Sequence, residues 1–179
     1  MTSTLKVDQI QNVAGGVPTA ADLGLNVSGS VLQSVTTEVT SSVPNTTITS
    51  TSLVAAALDA GSITVKDANS TLLVTLYIGR SLIYATGGVG YSLYYSNDNS
   101  SYSVIPNNNS GNLYGFNYST SGENQIPIIL HADHTHGQSV GSTVYFKLYS
   151  RSWTGSAQRD LSNDTAGGTV HWNIQEIAG

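Results

Sequence analysis

Cysteine is absent from this chain of 179 residues, and methionine occurs once. Without thiols the chain cannot form a disulfide-bonded scaffold, hold zinc through thiolates or use a cysteine nucleophile. Charge is also scarce, because Asp, Glu, Lys and Arg make up 9% of the residues, against roughly 25% in an average soluble protein. Small polar residues take their place, with 25 Ser, 20 Thr, 14 Asn and 18 Gly.

The few basic residues are scattered along a chain of net charge −5. No basic stripe can follow a phosphate backbone, so we expect no nucleic-acid partner. The longest apolar runs, Leu53–Leu58 and Leu72–Val74, are too short to span a bilayer, so membrane insertion is not predicted. The first residues lack a basic cluster followed by an apolar segment, which argues against a secretory signal.

A neutral, Ser- and Thr-rich composition is typical of disordered chains and of β-rich structural proteins. Disorder requires few aromatic and β-branched residues, whereas this chain has ten Tyr, two Trp and two Phe together with many Val, Ile and Thr. The composition therefore favours a β-rich structure.

Residues 1–30 differ from the rest of the chain. They contain no aromatic residue, and their apolar positions, such as Leu5, Val7 and Ile10, are too sparse to build a core. We therefore predict an extended arm that requires a partner surface.

From residue 31 to residue 179 the sequence predicts a single β-domain. Val144, Phe146 and Leu148 alternate with polar or tyrosine residues, as do Val170 and Trp172. About eight such strands occur at intervals of roughly a dozen residues, which is typical of an antiparallel β-sandwich of jelly-roll or immunoglobulin-like form. The glycines at 87–90 are expected to interrupt strands, and residues 155–168 to form a polar loop. No sustained helical periodicity is present.

Three of the four histidines lie in the segment 131–136. Residues two apart on a strand point to the same side, so His134 and His136 could bind one metal ion, with Asp133 as a ligand or supporting group. The favoured interpretation is an exposed polar loop or a contact between subunits, since this spacing is a weak motif.

Catalytic signatures are missing from the sequence. Asp160 and Asp164 share the predicted polar loop, and nothing fixes their separation as glycoside cleavage requires. The segment at Ser156 lacks the second glycine of a nucleophile elbow. We therefore expect neither an enzyme nor a cofactor.

Tyrosines form the stronger functional signal. Tyr91, Tyr94, Tyr95 and Tyr114 lie within a stretch rich in Asn and Ser, a composition typical of adaptable recognition surfaces. With Trp153 they are candidate contacts to a receptor glycan. The alternative is that they flank the core of the sandwich or form a subunit interface.

Both ends of the chain resemble the fibre and other virion proteins of tailed bacteriophages, especially marine ones. The similar segments are STLKVDQIQNVAG at 3–15, GSVLQ at 29–33, TITSTSLV at 47–54, TVYFKLY at 143–149 and QEIAG at 175–179. The resemblance implies a trimeric β-sandwich that an N-terminal arm attaches to the virion, with residues 1–15 contacting other virion proteins. The chain lacks a long shaft, so a short fibre, a spike or a capsid-surface protrusion is expected.

Three functions remain open at this stage. The first is a non-enzymatic fibre or spike on the exterior of the tail or capsid that aids adsorption to host-surface glycan. The second is a capsid decoration or head-fibre protein with a mainly structural role. The third is a glycan-degrading enzyme or a stand-alone secreted lectin, and the enzyme has the least support, because no acidic pair stands out.

Overall fold

The computed structural model describes residues 28–39, 46–48, 50–83, 86–107, 111–153, 157–161 and 169–179. The side chains of residues 46, 47 and 157–160 are not described. Leu5, Val7 and Ile10, with most of the predicted arm, lie outside these ranges, so their anchoring role stays a prediction.

The described residues form twelve β-strands and no helix. The strands are β1 (Val31–Glu38), β2 (Thr46–Ile48), β3 (Val54–Ala55), β4 (Gly61–Thr64), β5 (Thr71–Ile83), β6 (Gly87–Ser96), β7 (Ser103–Val104), β8 (Gly115–Ser119), β9 (Asn124–Thr135), β10 (Thr143–Ser152), β11 (Ala157–Leu161) and β12 (Val170–Ile177).

The strands form two antiparallel sheets. In the first sheet, β5 pairs with β9 along one edge and with β12 and β11 along the other, while β1 flanks β12 and β2 flanks β11. In the second sheet, β10 lies between β6 and the short strands β3 and β4, and β7 and β8 extend β6.

The main strands follow the order β1-β12-β5-β9 in one sheet and β4-β10-β6-β8 in the other. Most successive strands cross between the sheets, which is the connectivity of an eight-stranded jelly roll. The predicted all-β, jelly-roll-like sandwich is therefore confirmed.

The core lies between the sheets and follows from the two-residue period of the strands. The inward residues of β5, β10 and β12 are fully buried, and Trp172 and Phe146 are among the largest. The indole of Trp172 lies over Gly61, where a Cβ atom would come within 2.6 Å of the ring. Its Nε1–H donates to the carbonyl of Asp59 at 3.0 Å. Gly61 therefore leaves the space that the largest core side chain occupies.

Three local predictions were wrong. The glycines at 87–90 lie inside β6, and the predicted polar loop at 155–168 contains β11. The histidine segment was expected to be a loop, but β9 continues through it to Thr135. In each case pairing with a neighbouring strand outweighs the local preference of a polar or glycine-rich segment.

A buried carboxylate fixes the end of the sandwich at which β12 finishes. Glu176 is fully buried and accepts hydrogen bonds from the backbone N–H groups of Lys66 and Asp67, each at 2.8 Å, from the Ser70 hydroxyl at 2.7 Å and from the Gln33 amide. Burial raises the pKa of Glu176, but these hydrogen bonds outweigh it, so the pKa lies below its ordinary value.

Replacing this carboxylate by an amide tests its contribution. A lowered pKa in the folded state means stability that is present above the ordinary pKa and lost as the pH falls through the folded pKa. We expect Glu176→Gln to lower the free energy of unfolding at pH 7 by about 2 kcal/mol. Urea unfolding should also show a smaller loss of stability for this variant than for the wild type between about pH 5 and pH 3.

The matched control is Glu123→Gln, because Glu123 is exposed. It should leave both the stability at pH 7 and its pH dependence unchanged. Equal pH profiles for Glu176→Gln and the wild type would contradict the role given to the buried carboxylate.

Candidate functional site

The outer surface of the second sheet carries a concentration of aromatic rings with two cations. We call it the aromatic face. Its members come from β6, β8, β10 and the segments beside them: Tyr94, Tyr102, Phe116, Tyr118, Lys147, Tyr149, Arg151 and Trp153.

Strand alternation produces this face. Along β10 the even-numbered residues Val144 to Ser152 are buried in the core, so Lys147, Tyr149 and Arg151 point outward. Antiparallel pairing sets Lys147 opposite Tyr94 and Tyr149 opposite Ser92. Residues close together on one side of neighbouring strands interact directly, so the sheet itself assembles the ring cluster.

Tyrosines occupy the middle of the aromatic face. Tyr94 and Tyr149 stack with their ring centroids 3.7 Å apart, and Tyr102 lies 6.5 Å from Tyr149. The Lys147 ammonium lies 4.6 Å from the centroid of Tyr102, a cation–π distance. Burial, followed by the proximity of Tyr149, raises the pKa of Tyr94 and of Tyr102. Both phenols are therefore neutral hydrogen-bonding groups at physiological pH.

A second group of rings lies around Trp153. Its indole is 55% exposed and meets Phe116 edge to face at 5.3 Å. Phe116 is in turn stacked with Tyr118 at 6.0 Å. The Arg151 guanidinium lies 5.2 Å from the centroid of Trp153, and the Trp153 backbone N–H donates to the Gly88 carbonyl at 2.8 Å. Exposed aromatic rings held in this way are typical of binding surfaces rather than of core packing.

Two glycines of β6 allow the apolar side chains to lie against the sheet. A Cβ atom on Gly88 would come within 2.7 Å of Phe116 and 2.9 Å of Tyr118. A Cβ atom on Gly90 would come within 2.8 Å of Leu113. Rings that cover glycines compensate for the missing side chains of the strand.

The structure separates the tyrosines that the sequence grouped together. Tyr91 was a candidate receptor or interface contact, and this prediction is wrong, because Tyr91 is fully buried and its hydroxyl hydrogen-bonds Ser81 at 2.7 Å. Tyr95 packs against the core and against His134, at 4.0 Å between ring centroids. Tyr114 is half-buried, and its hydroxyl donates to the carbonyl of Ile105 at 3.0 Å.

Tyr94 and Trp153 are the predicted contacts that lie on the aromatic face. Sequence reasoning did not single out Tyr149, Phe116 or Arg151 as contacts. The alternation along β10 could have indicated two of them, because Tyr149 and Arg151 both lie at its outward positions. Nothing in the sequence predicts that Phe116 lies beside Trp153, since β8 and β10 do not pair but lie on opposite sides of β6.

Two of the three histidines in the segment 131–136 are packed inside the domain. His134 and His136 share one side of the strand, as predicted, but both are buried, so the exposed-loop interpretation is wrong. His134 packs between Tyr95 and Phe146, and burial lowers its pKa to about 4. Both ring nitrogens of His136 are occupied: Nδ1 accepts from the N–H of Gln138 and Nε2 lies 3.0 Å from the Ser70 hydroxyl.

The other acidic and histidine side chains that the structure describes do not converge on one point. Asp133, the third residue of the proposed metal set, is exposed on the opposite side of β9, 3.5 Å from His131. Within the described ranges, no group of three or more His, Cys, Asp or Glu residues is arranged to hold a metal ion. No helix in the described part of the chain is long and apolar enough to cross a membrane.

No family model matches the chain, and no curated protein is similar to it.

Substitution of Gly88 tests whether the Phe116 and Tyr118 rings can lie against the sheet only because this residue has no side chain. We expect Gly88→Ala to displace Phe116 and Tyr118, lowering the free energy of unfolding by about 1 to 3 kcal/mol and changing the emission of the adjacent Trp153. The measurements are urea unfolding and tryptophan fluorescence. The control is the same substitution in a Phe116→Leu chain, where the cost should be smaller. An equal cost in both backgrounds would contradict the proposed contact.

Proposed function

We propose that the chain is a non-enzymatic bacteriophage virion protein, a short trimeric fibre or spike whose N-terminal arm attaches it to the particle and whose aromatic face aids adsorption to the host surface. The observation that carries this proposal is the position of the Trp153 group, at the end of the sandwich opposite the point where the arm joins it. The resemblance of both chain ends to phage virion proteins supports the same assignment.

The arm joins the domain beside the C-terminus. The N–H of Gly29 donates to the carbonyl of Ala178 at 2.9 Å, and Val31 pairs with Ile177. The side chain of Gln33 donates to the carbonyl of Thr64, which pairs with Thr143 at the start of β10. The start of β10 and the junction with the arm therefore lie at the same end of the molecule.

Trp153 lies at the other end. It directly follows β10, which is ten residues long. At 3.2 to 3.4 Å per residue, an extended strand of this length carries the chain about 30 Å. An arm bound to a particle would thus leave the exposed Trp153 group on the far side of the domain, where a host surface is met.

The chemistry of the aromatic face suits glycan binding. Indole and phenol rings offer flat apolar surfaces for the C–H faces of sugars, and neutral phenol hydroxyls offer hydrogen bonds. Tyr94 and Tyr149 restrain each other by stacking. Binding of a ligand therefore costs these side chains little further conformational entropy. Weak single sites gain strength when three copies act together in a trimer.

The outer surface of the first sheet is the part of the domain that best fits a contact between copies. Between Thr71 and Tyr77 of β5, four rows of outward residues cross β9, β5, β12 and β1, and in these rows only Asp133 and Glu38 are charged. The row at one end contains Ile129, Tyr77, His171 and Glu38. Tyr77 and His171 stack at 4.9 Å, and Ile129 is 64% exposed. Neutral polar and apolar side chains can be buried between copies without isolated charges.

The aromatic face is less suited to that contact. Its cations Lys147 and Arg151 lie on β10, which has neighbours on both sides, so a symmetric interface would bring like charges from several copies together, which is unfavourable. The carboxylates of Asp133 and Glu38 lie on the edge strands β9 and β1 of the first sheet, where they can stay in the solvated rim of a contact. The two outer surfaces therefore favour a division in which one assembles the trimer and the other remains accessible.

Two exposed aliphatic residues of matched exposure test the assembly surface. We expect Ile129→Glu to convert the trimer to monomers, because it places a charge in the contact, whereas Val140→Glu should leave the mass unchanged. Val140 is 63% exposed in the turn before β10. Light scattering after size-exclusion chromatography measures the mass. A monomeric wild type, or a trimer in both variants, would contradict the assignment.

Competition for adsorption tests the function itself. The purified full chain should slow phage adsorption to its host, and Trp153→Ala should remove most of this inhibition without altering the trimer. Replacement of Leu5, Val7 and Ile10 by Ser should keep the inhibition but prevent incorporation into particles. A chain that is incorporated but never competes would favour the capsid-decoration role instead.

A further inference from the structure

A pocket of about 190 Å³ lies beside the exposed indole on the aromatic face. Its lining residues are Thr51, Arg151, Ser152 and Trp153. We propose that this pocket binds a sugar carrying a carboxylate group, such as a uronic acid, within the host glycan. The inference rests on the proposed adsorption function and names the class of sugar that the site would recognise.

Trp153 supplies an apolar surface for the sugar ring. The indole keeps more than half of its surface exposed, although Phe116 packs edge-on against it at 5.3 Å and its own backbone N–H is bound to Gly88. A ring that is both exposed and held in place loses little freedom when a ligand stacks on it. The Thr51 side chain is exposed at the same pocket and offers a hydroxyl to a sugar oxygen.

Arg151 supplies the charge that a neutral sugar would not require. Its guanidinium lies between the Trp153 ring, 5.2 Å away, and Gly111, where a Cβ atom would come within 3.0 Å of Nη2. Gly111 has φ +77°, a conformation that favours glycine. The backbone of this loop therefore leaves room for the guanidinium beside the indole.

No carboxylate of the described residues forms an ion pair with Arg151. A planar guanidinium binds a carboxylate through two parallel hydrogen bonds, and this geometry is specific to Arg. In a chain of net charge −5, an acidic ligand is repelled at long range, so a local cation is needed to favour it. The pairing of Trp153 with an arginine that has no carboxylate partner among the described residues therefore points to an acidic sugar rather than a neutral one.

Tryptophan fluorescence provides a direct binding assay. The chain contains two Trp residues, and Trp172 is fully buried while Trp153 is exposed. Titration of the full chain with sodium glucuronate should change the emission saturably, at concentrations about tenfold lower than glucose requires. Sodium acetate at the same ionic strength should have no effect, because it lacks the sugar ring. Equal affinity for glucuronate and glucose would overturn the proposal.

Substitutions of the two cations test whether Arg151 causes the preference for glucuronate over glucose. Arg151→Gln should remove the preference for glucuronate, and Arg151→Lys should restore part of it, because the charge returns without the two parallel hydrogen bonds. The matched control is Lys147→Gln, which removes the other cation of the aromatic face and should leave the preference intact. A preference that survives Arg151→Gln would overturn the assignment to Arg151.

Measuring glucuronate binding and adsorption inhibition on the same chain separates a failure of the acidic-sugar pocket from a failure of the adsorption function. A chain that inhibits phage adsorption but does not bind glucuronate would overturn the acidic-sugar pocket alone. A chain that binds glucuronate with the expected preference but does not inhibit adsorption would support the pocket and overturn the adsorption role.

Discussion

The period of two along the strands is the constraint on which the rest of this structure depends. Every second residue of β5, β10 and β12 enters the space between the sheets, and the apolar core is built from those residues. The intervening residues must face outward. The same alternation that buries Phe146 and Leu148 therefore brings Lys147 and Tyr149 to the surface. Core and candidate site are two sides of one strand, so a change of register would destroy both.

Different interactions organise the two ends of the sandwich: hydrogen bonds to a carboxylate at one end and packed aromatic rings at the other. At the end where β1 begins and β12 finishes, the buried Glu176 carboxylate accepts hydrogen bonds from the backbone and from Ser70 and Gln33. These bonds fix β1 and β12 against the loop after β4. At the opposite end, rings packed over Gly88 form a surface that is open to a ligand. A chain with so few charges relies on hydrogen-bonded neutral groups for its outer surfaces, and such surfaces can meet other copies without desolvating many ions.

Sequence reasoning predicted the sheet class because alternation is local, and the phase of β10 and β12 is visible in a few residues. It could not locate Tyr91 or Tyr95 relative to the core, because both follow a glycine-rich segment whose pairing is set by distant strands. The burial of His134 and His136 was missed for the same reason, because their polarity suggested a loop. Pairing of β9 with β5 turns His134 inward, and His136, just after the strand, is buried on the same side. The pocket at Trp153 combines residues 51, 151, 152 and 153, a proximity that only the tertiary structure establishes.

The proposed function requires that the end of the domain where β1 begins faces a phage particle and that the Trp153 end faces away from it. Cryo-electron microscopy of the particles, at a resolution that traces residues 1–15 and orients the β-domain, tests this directly. The expected density shows three copies around an axis, with residues 1–15 on the tail or capsid exterior and Trp153 at the far end of each domain. Absence of the chain from the particles, or density with Trp153 packed against the particle surface, would contradict it.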